Sequence, residues 1–238
     1  FISNFPFGIP FKKNSYEEKK FMHIYNFLNN FELNFRFIFL ITLSNNAEFI
    51  ERNINIIKKQ SYKNWKIIFI NDCCTDNTID IIKKQKNLNY EIIETPFKSY
   101  EGYSRYLAYN RLIDSDICIM INGDDSLQNS NVLNVLNETY KTGVNVTYGS
   151  FRTYNGRNYE DSTWIQRYGE KIDETYNYRS EKTWYGSHLR TYKAKLIKKL
   201  NILDLLDEYF NFFPLNTDRI ESICCLEQSN QYTVIDEI

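Results

Sequence analysis

Asp124 and Asp125 are adjacent carboxylates, preceded by Asn122-Gly123 and by the apolar run Ile117-Cys118-Ile119-Met120-Ile121. Two ionised carboxylates side by side repel one another, a cost normally met by a cation or by a hydrogen-bond network. Oxygen ligands suit Mg²⁺ or Mn²⁺, which are held by one or two carboxylates together with phosphate oxygens of a substrate. Gly123 gives the backbone room to approach such a ligand. A structural reading stands beside this one: the pair begins a turn and caps the helix that follows. Further polar groups also follow apolar runs, Thr42, Ser44 and Asn45 after one and Asn71 and Asp72 after another.

These residues need a frame that delivers them to one place. Phe37-Ile38-Phe39-Leu40-Ile41 and the run from Trp65 to Ile70 are short and continuously apolar, as strands buried on both faces of a parallel sheet are. Further strands are expected at Tyr90 to Glu94 and Asp116 to Ile121. Helical spacing runs through Ala47, Ile50, Ile54 and Ile57, through Ile79 and Ile82, and from about Ser104 to Ile113. Strand and helix alternate four times, which describes a doubly wound α/β sheet with right-handed crossovers. Ligands of such sheets lie beyond the carboxyl ends of the strands, where the polar residues above fall.

After Asp125 a helix is expected from Asn131 to Lys141 and a strand from Asn145 to Tyr148. A long polar, aromatic stretch from Phe151 to Tyr185 reads as a binding loop or lid. Ahead of the sheet, Ser15 and Glu18 form a capping box, and Phe21, Ile24, Tyr25 and Leu28 recur at helical spacing. The expected organisation is an N-terminal helical extension over 1–36 and a single domain over 37–238. Its halves are 37–125 and 126–238.

Composition removes several classes. Net charge is −1 with both signs interspersed, so there is no basic field to hold nucleic acid. No apolar run approaches the ~20 residues of a membrane span, and no signal-peptide pattern is present, which leads to a cytoplasmic expectation. The chain opens at Phe1 rather than Met, as a part of a longer protein would. The five cysteines lack zinc-like spacing and are expected to be reduced, buried thiols. Asn137-Glu138-Thr139 and Asn145-Val146-Thr147 fit a glycosylation triplet that arises by chance in an Asn-rich chain. No glycine-rich dinucleotide loop, phosphate-binding Gly-Lys-Ser/Thr loop or Gly-x-Ser-x-Gly elbow occurs.

In order and spacing these segments resemble the family 2 glycosyltransferases of the GT-A fold, transferases of nucleotide-diphospho-sugars. FIFLITLSNNAEFIERNI is similar to the family's nucleoside cradle, which implies nucleotide contacts from Thr42, Ser44 and Asn45. QSYKNWKIIFINDCCTDNT is similar to the second strand and acidic loop, with Asp72 on the base and Asp76 starting a helix. EGYSRYLAYNRLIDSDICIMINGDD is similar to the stretch joining the family's arginine, here Arg105, to its Asp-x-Asp motif. That motif appears as Asn122-Gly123-Asp124 followed by Asp125, so the resemblance implies nucleotide contacts from Asn122, Gly123 and Asp124. Asp124 and Asp125 are left to carry the charge for Mn²⁺ or Mg²⁺.

In PLNTDRIESICCL, Asp218 falls on the family's catalytic base, and Thr217 replaces the acid that usually precedes it. Asp218 also reads as a first-turn residue favoured by the helix dipole. His188 in WYGSHLRTYKAKL is open to three roles: metal ligand, diphosphate contact, or structural and acceptor-side residue. Trp184 and Tyr185 stack on an acceptor sugar or pack in the core. The Gln-x-x-Arg-Trp signature of processive synthases is absent, which favours transfer of single sugars.

The resemblance therefore implies metal-assisted, inverting transfer from a nucleotide sugar, most commonly a UDP-sugar, to a hydroxyl of a glycan, protein or lipid-linked acceptor. Two alternatives accompany it. One is a GT-A nucleotide-sugar-binding domain with weak or no catalysis, and the other is a nucleotidyltransferase.

Overall fold

The structure is a computed structural model, and its description covers residues 15–21, 23, 34–154, 159–161, 176–180, 186, 188–214, 216–229 and 231–235. The chain divides into two compact units, Phe1–Asn34 and Phe35–Ile238. Within the first, residues 16–21 are helical, and Glu18 N–H donates to Ser15 Oγ at 3.1 Å, the bond a capping serine makes. Ile24, Tyr25 and Leu28 lie outside the described residues.

The second unit is built on a seven-stranded sheet of order β3-β2-β1-β4-β8-β5-β9. Its strands are β1 (Phe37–Leu43), β2 (Trp65–Asn71), β3 (Tyr90–Glu94), β4 (Ile117–Asn122), β5 (Val146–Gly149), β8 (Arg190–Lys193) and β9 (Tyr232–Ile235). A separate two-stranded sheet pairs β6 (Arg152–Tyr154) with β7 (Tyr159–Asp161). β1 to β4 run parallel, and β8 joins β4 and β5 antiparallel. The result is a mixed, mostly parallel α/β sheet.

The helices are α1 (Ile50–Lys58), α2 (Thr78–Lys83), α3 (Tyr100–Tyr109), α4 (Val132–Lys141), α5 (Ala194–Ile197) and α6 (Thr217–Glu227). Side chains of a strand alternate between faces, so every second residue of β1 enters a different core. Phe37, Phe39, Ile41 and Leu43 pack with Ile50, Ile54 and Ile57 of α1 and with Leu133 and Leu136 of α4. Ile38 and Leu40 pack with Ala108 of α3, Ile197 of α5 and Cys225 of α6. Burial on both faces is why these strands are continuous apolar runs.

Register places the site. Thr42 pairs with Asn122, and Leu43 pairs with Asn71, so β1, β2 and β4 end level with one another. Met120 pairs with Arg190 in the antiparallel β8, which brings His188 alongside the end of β4.

Two expectations shift. α3 begins at Tyr100 rather than near Ser104, because its first amides are capped by Asp72 from across the sheet, a partner that local spacing does not reveal. The five cysteines are free, yet Cys73 is exposed and Cys74 and Cys224 are half-buried, so burial of the thiols holds for Cys118 and Cys225 alone. Asn137 and Asn145 are buried and bonded within the fold, to Phe35 N–H and to Ser229 and Gln231 respectively. Among the described residues, no helix is long and apolar enough to cross a membrane.

Candidate active site

The turn after β4 is held by its backbone, which leaves its side chains available. Gly123 N–H donates to Thr42 O at 3.0 Å, extending the parallel ladder by one rung. From α1, Asn53 Nδ2 donates to Gly123 O at 2.6 Å and Arg52 Nη2 to Asp124 O at 2.9 Å. Gly123 is required by space: a Cβ there would lie 2.3 Å from Asn46 Oδ1. Asp124 is exposed, and Asp125 is partly so, but Asp125 Oδ2 is buried with no hydrogen-bond partner. Burial first, and the neighbouring charge of Asp124 second, push the Asp125 carboxyl above its ordinary value.

His188 Nε2 lies 3.7 Å from Asp125 Oδ2, too far for a hydrogen bond. Burial, assisted by the positive charge of Arg190, pulls the imidazole down to about 4, so His188 is neutral at physiological pH. Its ring meets Phe151 edge-on at 5.4 Å. Arg190, at the start of β8, is almost wholly buried and donates through Nη1 to Asp218 Oδ2 at 2.7 Å. Asp218 Oδ1 accepts from Arg219 N–H at 2.9 Å, and the carboxylate remains partly open. Arg190 is bonded to Asp218 and its charge acts on both His188 and Asp125, so the end of β4, the start of β8 and the head of α6 share one electrostatic environment.

Arg105 is fully buried, and three polar side chains engage its guanidinium. Nη1 donates to Glu221 Oε2 at 3.1 Å, Nη2 to Asn122 Oδ1 at 2.7 Å, and Glu101 Oε2 lies 3.3 Å from Nη2. Burial opposes the guanidinium charge, but Glu221 and Glu101 outweigh it and Arg105 stays ionised. Glu221 also accepts from the hydroxyl of Tyr109.

The loops after β1 and β2 are knitted together. Asn45, at φ 58, accepts through Oδ1 from Thr75 N–H at 2.7 Å and Asp76 N–H at 3.3 Å. Asp76 Oδ1 accepts from Thr78 N–H, at the start of α2, and Oδ2 from Ala47 N–H. Ser44 Oγ accepts from Lys98 Nζ at 2.6 Å. Thr42 is buried, with its hydroxyl unpartnered. Asp72 sits at the end of β2, and its carboxylate already accepts from Ser99 N–H (2.7 Å), Ser99 Oγ (3.1 Å) and Tyr100 N–H (3.2 Å), with Lys98 Nζ at 3.0 Å.

Fold and packing thus gather Asn122, Gly123, Asp124, Asp125, His188 and Asp218, and set Thr42, Ser44, Asn45 and Asp72 along the neighbouring strand ends. Trp184 and Tyr185 lie outside the described residues. Glu221, Arg190 and Lys98 were not legible as site residues; a charged residue opening the otherwise buried strand Arg190–Lys193 is the signal that could have found one of them. Tyr209 and Phe210, on the loop leading toward α6, are each 76% exposed.

The residues fit a divalent ion that takes part of its shell from a ligand. Asp125 Oδ2 is an orphaned buried oxygen beside a second carboxylate, and oxygen donors of this kind suit Mg²⁺ or Mn²⁺. Among the described residues, no group of three or more His, Cys, Asp or Glu could enclose a metal unaided.

Residues 38–204 match the family model described as glycosyl transferase family 2. Comparison with the curated proteins finds no match. Among solved structures, S. aureus TarS 1–349 in complex with UDP-GlcNAc is 18% identical, covers 85% of this chain and 56% of its own, and has a TM-score of 0.64. The same protein in complex with UDP gives 18% identity, coverage of 85% and 58%, and a TM-score of 0.65. The mannosyltransferase PcManGT from Pyrobaculum calidifontis, in complex with GDP-Man and Mn²⁺, is 12% identical, with coverage of 85% and 55% and a TM-score of 0.59. The likeness at these identities is one of fold, and this chain spans little more than half the length of those structures.

Proposed function

The chain belongs to the family 2 glycosyltransferases, and we propose that it transfers a single sugar from a nucleoside-diphosphate sugar to an acceptor hydroxyl with inversion at the anomeric carbon. The observation that carries this reading is the unpartnered Asp125 Oδ2 beside Asp124 at the end of β4, within reach of the charge of Arg190, which is bonded to Asp218. TarS with UDP-GlcNAc and PcManGT with GDP-Man support a nucleotide sugar as donor. UDP is the carrier favoured here.

In this reading Asp124 and Asp125 hold Mn²⁺ or Mg²⁺ together with the diphosphate. The ion supplies charge neutralisation to the departing diphosphate. Thr42, Ser44 and Asn45 line the nucleoside, and Asp72 holds that wall in place by fixing Lys98 and the start of α3. Asp218 takes the proton of the acceptor hydroxyl as that oxygen bonds to the anomeric carbon. The bond from that carbon to the phosphate oxygen breaks, and its electron pair leaves with the nucleoside diphosphate. Each oxygen of Asp218 keeps a lone pair beyond its single bond to Arg190 or Arg219. A positioned base of this kind contributes ~10²–10⁴-fold. His188, neutral, completes the ion's surroundings or contacts the diphosphate. Tyr209 and Phe210 line the acceptor side, the role that the family resemblance gives to Trp184 and Tyr185.

Neutral side chains at Asn122 and Thr217 favour a second reading, a binding domain without transfer. Calorimetry with UDP, with and without Mn²⁺, followed by turnover of Asp218→Asn, separates the two. Metal-enhanced UDP binding together with lost turnover in the variant supports the enzyme. Binding with no turnover in the native chain supports the second reading.

A further inference from the structure

Both positions at which the family resemblance leads one to expect a carboxylate and finds none, Asn122 and Thr217, lie around Arg105. Asn122 Oδ1 accepts from Arg105 Nη2 at 2.7 Å. Thr217 packs against Gly102, one turn before Arg105 on α3, where a Cβ would come within 2.7 Å of its methyl group. Thr217 and Glu221 are four residues apart on α6 and therefore share a face. Glu221 is fully buried and ion-paired with Arg105 at 3.1 Å. Glu221 thus gives Arg105 one carboxylate beside these two neutral positions.

The consequence for the site is chemical. A guanidinium has donors only, so Arg105 must meet the oxygen of the Asn122 carboxamide. Arg105 is held on its other side by Glu221 and by Glu101, so this orientation is fixed. The NH₂ of Asn122, a half-buried residue two positions before Asp124, is then the end of the amide not taken by Arg105.

We propose that Glu221 and Arg105 are positioning residues that turn Asn122 into a hydrogen-bond donor, directed at a ribose or phosphate oxygen of the bound nucleoside diphosphate. Position 122 therefore reads a ligand oxygen instead of ligating metal, and the carboxylate that neutralises Arg105 has moved from position 122 to Glu221. This rests on the nucleotide-sugar reading above.

The test is a double-mutant cycle on the full chain, Asn122→Asp, Glu221→Gln and the combination, with melting temperature and the Kd for UDP in the presence of Mn²⁺ measured for each. Asn122→Asp crowds a further carboxylate among Glu221, Asp124 and Asp125, and Glu221→Gln takes from Arg105 its fully buried carboxylate and leaves it only the part-exposed Glu101, so each single change lowers the melting temperature. The double variant restores one carboxylate to Arg105, so it melts above both singles. UDP affinity follows the donor instead: it falls by about tenfold or more in Asn122→Asp, the scale of a hydrogen bond to a charged group, and stays low in the refolded double variant. A double variant that melts no higher than the less stable single overturns the charge exchange. Native UDP affinity in the double variant overturns the donor role. If the native chain binds no nucleoside diphosphate, the nucleotide-sugar reading itself fails, and the donor role fails with it.

Discussion

Arg190 Nη1 donates to Asp218 Oδ2 at 2.7 Å, and this one bond ties the first residue of β8 to the second residue of α6. It sets the direction of the carboxylate assigned as base, and it comes from a side chain that is almost wholly buried. Asp218→Asn is expected to lower donor turnover by ~10²–10⁴-fold with little change in UDP affinity. Arg190→Gln, which keeps a donor but loses the charge, is expected to lower turnover by about tenfold and also to lower the melting temperature, since Asp218 loses a partner. Steady-state kinetics with parallel thermal melts check both.

Gly123 and Asn46 leave no room for a methyl group between them. Gly123→Ala forces a Cβ into a position 2.3 Å from Asn46 Oδ1, an atom already engaged by Ser44 N–H at 2.6 Å. Either the Asn46 side chain gives up its bond to Ser44, or the turn shifts against its bonds to Asn53 and Arg52. A loss of about 1–3 kcal/mol in stability is expected, the usual scale of overpacking, along with weaker UDP binding. Denaturant unfolding and calorimetry measure the two effects.

Asp125 is costly while its charge is uncompensated. Burial and Asp124 both push its carboxyl up, so in the metal-free protein Asp125→Asn removes repulsion and raises the melting temperature. Mn²⁺ added at millimolar concentration stabilises the native chain by binding the folded state, and that shift should vanish in the variant. A Mn²⁺-induced shift of equal size in both would remove Asp125 from the metal site.

His188 gives a pH signature. Its folded value is held at about 4, below the ordinary 6.5, so between those limits the unfolded chain binds more protons than the folded one. Stability from this group is therefore full above about pH 6.5 and declines as pH falls toward 4. His188→Gln should flatten that part of the curve of melting temperature against pH. An unchanged acid limb would mean that His188 is solvated in the folded protein.

β1, β2 and β4 were legible because burial on both faces writes itself as an apolar run, as in Phe37 to Ile41, whereas β3 is half-buried and was placed by its turn in the strand–helix alternation. β9, Tyr232–Ile235, was not, since it is short and only Ile235 is buried. The acidic residues at strand ends were visible from spacing, but their partners were not. Asp72 is bonded to Ser99 and Tyr100, 27 and 28 residues away, and Arg105 to Glu221, 116 residues away. Arg105 is read as nucleotide-binding from the family resemblance, and neither its burial nor its bonds to Glu221 and Asn122 show in the sequence. Glu221 gave no signal because a charged residue inside a helix is ordinarily solvated. Only the packing of α6 on α3 reveals that it is buried.

The central claim is metal-assisted transfer from a nucleotide sugar at Asp124 and Asp125. The most direct measurement is release of nucleoside diphosphate from a panel of UDP-, GDP- and TDP-sugars by the native chain and by Asp124→Ala, each with Mn²⁺ and with a chelator. Release from at least one UDP-sugar is expected to require Mn²⁺ and to fall by at least about a hundredfold in the variant. Release that is equal with chelator and in Asp124→Ala, or absent for every donor, would contradict it.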